Sequence, residues 1–86
     1  MPEICRFYGI IIKMFFDDHN PPHFHAIYGE FETLIEIGTL AVISGKLPPR
    51  ALGLVMEWAA MNQTELADFW KRAKNLEPIG KIAPLR

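Results

Sequence analysis

All three histidines of this 86-residue chain lie within one seven-residue window, His19-Asn20-Pro21-Pro22-His23-Phe24-His25. In an extended strand His23 and His25 share a face, with Cα atoms about 6.6–6.8 Å apart, and Phe24 turns to the opposite side, toward a core. Two imidazoles at that spacing can converge on one substrate or one metal. His19 sits beyond a stiff Pro-Pro turn, and Asp17 or Asp18 is near enough in sequence to orient an imidazole by a hydrogen bond. Three readings follow. The histidines are half-buried strand residues bonded locally. Or His19, His23 and His25 divide the roles of general base and acid in RNA cleavage, since imidazole titrates near neutrality. Or His23 and His25 begin a divalent-metal site, for which no fourth ligand is marked.

An acid–base reading on RNA needs cations for the phosphate. Residues 71–86 carry five basic side chains, Lys71, Arg72, Lys74, Lys81 and Arg86, against Glu77, whereas residues 1–70 carry four against nine acidic ones. Lys71, Arg72, Lys74 and Lys81 are therefore the candidate RNA- or anion-binding residues, although cations also suit a helix C-terminus without any ligand. Trp58 and Trp70 fall at helical spacing and serve either the core or a partner groove. Cys5, alone and inside an apolar run, reads as inert and excludes an internal disulfide. Phosphate loops, nucleophile elbows and dinucleotide fingerprints are absent, so no cofactor is firmly implied beyond the metal alternative.

The elements that must position these residues change period halfway along the chain. Ile4–Phe16 is almost continuously apolar and β-branched, which predicts a strand buried on both faces, with Gly9 marking a bulge or a close approach. His23–Tyr28 and Phe31–Ile37 form a hairpin about Gly29-Glu30. Phe31, Thr33, Ile35 and Ile37 point one way in the second of these, and Glu32, Leu34 and Glu36 the other. Leu40–Ser44 is a short fourth strand. From Pro48-Pro49 onward, Leu52, Val55, Ala59, Leu66, Phe69 and Ala73 mark an amphipathic helix. Asn62-Gln63-Thr64-Glu65 resembles a capping box at which the helix can break. One long element ending at Asn75 is favoured, because the apolar stripe keeps its phase. The expected fold is α+β, a small antiparallel sheet of about four strands followed by a long C-terminal helix, in a single domain spanning 1–86.

Half of the residues are hydrophobic and the formal net charge is −1. Mean hydropathy is +0.09, high for a chain of this length, so apolar surface is expected to remain for a partner or a second copy. A protein coated in basic residues for bulk nucleic-acid binding is excluded. The apolar stretch Phe7–Phe16 is too short to span a bilayer and lacks a cleavage site, so no membrane association and a cytoplasmic location are expected.

The opening Met1-Pro2-Glu3-Ile4, Arg6-Phe7-Tyr8-Gly9-Ile10, the segment Asp18–Ala26, the stretch Leu47-Pro48, Arg50-Ala51-Leu52 and Trp58-Ala59 together resemble the bacterial family catalogued as domain of unknown function 4160. Cys5 stands where a small polar residue is expected. The resemblance covers essentially the whole chain, and its characteristic segment maps onto His19, Asn20, Pro21, Pro22, His23, Phe24 and His25. It implies a small bacterial cytoplasmic protein without an established activity. Such proteins are encoded beside a small protein of the domain of unknown function 2442 family, as proposed toxin–antitoxin pairs in which this member is cast as the toxin. A helix bearing Trp58 and Trp70 would then supply the apolar docking face for that partner. The leading expectation is a toxin-like component that binds a small protein and acts on RNA through the histidines. The alternative is a non-enzymatic interaction module whose histidines are structural or bind a metal.

Overall fold

A computed structural model describes residues 3–17 and 19–86. Five strands, β1 (Glu3–Phe7), β2 (Ile10–Lys13), β3 (His23–Tyr28), β4 (Phe31–Glu36) and β5 (Val42–Gly45), precede helices α1 (Pro49–Met61) and α2 (Gln63–Lys74). The strands form one antiparallel meander in chain order. The α+β class agrees with the expectation from sequence, whereas the strand and helix counts differ from it.

The apolar run expected as one strand is two. Phe7 pairs with Ile10, so Tyr8 and Gly9 form a two-residue hairpin loop, with φ of 50° and 79°. Positive φ at both loop positions matches the right-handed twist of the flanking strands. Gly9 is thus a turn residue and not a bulge. The second face of these strands is only partly covered: Arg6 is exposed, and Ile11 and Lys13 are half-buried. Gly29-Glu30 makes the expected turn between Tyr28 and Phe31. In β4 the alternation holds, with Thr33 and Ile35 buried and Glu32 exposed. The buried Thr33 hydroxyl donates to the Ser44 carbonyl at 2.9 Å, which removes the cost of an unpaired polar group and ties β4 to β5. β5 begins at Val42, not Leu40, because Leu40 takes a left-handed φ of 60° and donates back to the Glu36 carbonyl.

The expected long helix is broken at Asn62, whose ψ of 21° and φ of −128° leave the helical region. The Asn62 side chain does not cap α2. Its amide donates instead to the Trp58 carbonyl at 2.8 Å, while the Gln63 amide donates to the Ile37 carbonyl at 2.8 Å. Gln63 thereby fastens the start of α2 to the end of β4, a long-range bond that no local pattern signals. α2 ends at Asn75 as expected. Leu76 turns left-handed, and Glu77 and Leu76 donate to Arg72 and Ala73, completing a Schellman motif. The chain then returns to β1, where Ile82 donates to the Ile4 carbonyl at 2.8 Å and the Trp58 indole donates to Ala83 at 2.9 Å. One sheet edge is thus covered by this segment, while β5 forms the other.

A single apolar cluster joins the sheet to both helices, with Phe7, Phe24 and Trp58 in ring contact at its centre. Cys5 lies within it, and burial pushes its thiol above the ordinary range, in keeping with the inert reading. Among the described residues, no helix is long and apolar enough to cross a membrane.

Candidate functional site

β3 begins directly after the double-proline turn, and both proline carbonyls there have partners. Pro22 accepts from the Ile37 amide at 2.9 Å, which pins the turn to the end of β4. Pro21, whose peptide bond to Asn20 is cis, lies 2.8 Å from His23 Nδ1. A carbonyl can only accept, so Nδ1 carries the proton. Phe24 points into the core and is fully buried, as the strand period requires.

His23 and His25 do come together, with ring centroids 5.4 Å apart. His23 is only 6% exposed and packs at 5.3 Å against Trp70 of α2. Lys74 Nζ stands 5.0 Å from the centre of the Trp70 ring, a cation–π arrangement. Phe15 meets the His25 ring edge-on at 4.7 Å. His25 Nδ1 lies 2.9 Å from Glu32 Oε2, diagonally across the hairpin and two pairs out of register, since Leu34 is its direct partner. The carboxylate can only accept, so Nδ1 is the donor in this ring as well.

His19 is exposed in the preceding loop, and none of the ring or hydrogen-bond contacts described for the pair includes it. Asp17 is exposed, and Asp18 lies outside the described residues. Among the described residues no group of three His, Cys, Asp or Glu side chains is placed to hold a metal ion.

The basic candidates divide between two places. Lys71, Arg72 and Lys74 occupy the last turn of α2, where Arg72 Nε pairs with Asp68 at 3.0 Å and Lys74 covers Trp70. Lys81 belongs to the returning segment near β1. There the hydrogen bond from Arg6 holds the Glu3 carboxyl below its usual range, and the Lys81 charge adds to that effect. The docking role expected of Trp58 and Trp70 requires exposed rings, and both are buried, at 1% and 7% exposure. Their helical spacing marks this chain's own core, which absorbs the two largest apolar side chains.

Sequence reasoning missed Glu32, Phe15 and the Trp70–Lys74 lid of this cluster. Glu32 was within reach, because a two-residue turn at Gly29-Glu30 sets the register that brings it beside His25. Trp70 was not, because its approach depends on the break at Asn62.

The arrangement defines a class of small α+β proteins: a meander sheet with a paired-histidine cluster at the start of its third strand, closed by the second of two helices. A family model described as Domain of unknown function (DUF4160) matches residues 9–71, and the chain belongs to that family. No curated protein and no solved structure matches it in the same comparisons.

Proposed function

We propose that the chain is a toxin–antitoxin-type component that works by binding a small protein partner, with its histidine pair serving as a structural clamp. The observation that carries this reading is the asymmetry of the two sheet edges. β1 has the returning segment beside it, whereas every residue of β5 is exposed, including Val42 at 44% and Ile43 at 43%. Natural edge strands are ordinarily blunted by charge, proline, cover, shortness or a bulge. β5 is short and its pairing with β4 is irregular at Leu34/Ile35, but it carries no charge or proline. An apolar edge open on both faces suits addition of a partner strand, with backbone hydrogen bonds supplying affinity. The clamp role rests on burial: His23 and His25 are packed among Phe15, Trp70 and one another, and His19 stands apart.

The partner to test is the small protein of the domain of unknown function 2442 family. Val42→Lys/Ile43→Lys is expected to lose co-purification with it by at least about tenfold in affinity, with folding stability within about 0.5 kcal/mol of the parent. Retained binding by a folded variant rejects the edge as the docking surface.

One observation favours a second reading, acid–base chemistry on RNA. The His25–Glu32 contact is the carboxylate–imidazole pairing that orients a general base. Cations for the phosphate would come from Lys71, Lys74 and Lys81. In that case His25→Ala lowers RNA cleavage by the purified chain roughly 10²–10⁴-fold while Lys71→Ala raises KM. Equal cleavage by parent and His25→Ala, or none by either, removes this reading.

A further inference from the structure

The turn end of the sheet, away from the histidines, holds an open groove of about 440 Å³ whose described lining includes Tyr8, Tyr28 and Arg50 over a floor of Ile10, Ala51 and Leu54. Its size falls in the roughly 300–1,000 Å³ range of small-molecule sites. Arg50 is the one charged side chain among these residues. It makes no ion pair among the described residues, and the first turn of α1 to which it belongs has no acidic residue. In a body that carries far more acidic than basic side chains, this is a local positive site with no carboxylate among its described lining residues.

Tyr8 is the unusual member. It occupies the first loop position of the β1–β2 hairpin at a φ of 50°, where Asn, Asp or Gly is favoured and an ordinary side chain costs roughly 1–2 kcal/mol. The ring is 60% exposed, and among the described residues its ring contact is edge-on with Phe7. A strained position filled by an exposed aromatic is the kind of local violation found where function overrides stability. Tyr28, also exposed, lies against Gly9, where an added Cβ would lie 3.4 Å from Tyr28 Cε1.

The geometry points to a nucleotide-binding groove, in which an aromatic base lies against Tyr8 and Tyr28 and its phosphate pairs with Arg50. Tyrosine faces accept any base by stacking, worth about 1–3 kcal/mol per base. The guanidinium takes a phosphate in a two-point contact. The shared ligand chemistry is a base carrying a phosphate, whether a free nucleotide or the end of a single-stranded RNA. This inference does not depend on the partner reading, because β5 and the histidine pair take no part in the groove.

The test is an amide-resolved NMR titration with 5′-AMP, with adenosine, ribose 5-phosphate and a short single-stranded RNA as comparators. AMP is expected to shift the Gly9, Arg50 and Ala51 amides saturably, with each fragment at least about tenfold weaker. Tighter binding of the RNA assigns the groove to a strand end, and equal binding assigns it to free nucleotide. Tyr8→Asn keeps the fold and relieves the turn, so it should melt higher than the parent yet bind AMP at least about tenfold more weakly. Arg50→Gln should weaken AMP without altering adenosine. Absence of saturable shifts at the groove, equal binding of AMP and adenosine, or unchanged AMP affinity in Tyr8→Asn overturns the proposal.

Discussion

Trp58→Ala should leave this protein largely unfolded at 37 °C. The indole is the largest fully buried side chain, in ring contact with Phe7 of β1 and Phe24 of β3, and its N–H holds the returning segment through Ala83. Truncating a buried tryptophan costs about 3–5 kcal/mol. A domain of this size has roughly 4–13 kcal/mol in all. The melting temperature should fall by tens of degrees, at about 4–8 °C per kcal/mol. Trp58→Phe separates the contributions, since it keeps most of the packing and loses the bond to Ala83. It should cost about 1–3 kcal/mol, and amide exchange at Ile82 should quicken before that of the strands. A Trp58→Ala protein that melts within a few degrees of the parent would contradict this account of the core.

Gly45→Ala should have the next largest effect, although the site is exposed and the change is one methyl group. Gly45 has φ of 75°, and a Cβ there would collide with the Glu32 carbonyl oxygen and press on Thr33 Cα at 3.0 Å. The collision is with backbone, so no side chain can swing away. Left-handed strain of about 1–2 kcal/mol adds to about 1–3 kcal/mol for overpacking. The melting temperature should drop by about 10 °C or more, with β5 exchanging its amides fastest. Gly53→Ala in α1 is the control, since nothing lies near its Cβ, and it should be neutral or stabilising by up to about 1 kcal/mol. Equal melting of Gly45→Ala and the parent would mean that β5 does not pack on β4 as described.

Where a local rule governs, the residues disclosed the structure directly. The period of β4 predicted its buried and exposed faces, and His23, Phe24 and His25 alternate as a strand demands. The Gly29-Glu30 turn was legible because glycine opens it. The Tyr8-Gly9 turn was not, because tyrosine is an unfavoured residue there and both flanking segments are equally apolar. The helix break was marked by Asn62, but its cause is tertiary: the Gln63 amide reaches 26 residues back to Ile37. That bond decides where α2 points, and hence that Trp70 covers His23. Half-buried, locally bonded histidines were among the readings the segment allowed, whereas the tryptophan that covers His23 was not visible in the sequence.

β3 also acts as a spacer. His23 and Tyr28 stand at its two ends, five residues apart, which is about 17 Å along a strand, and they have opposite parity. At that separation substitutions at the two ends should be energetically additive. The imidazole pair and the tyrosine groove are therefore separable by genetics, so a variant impaired at one end can serve as the undisturbed background in which to study the other.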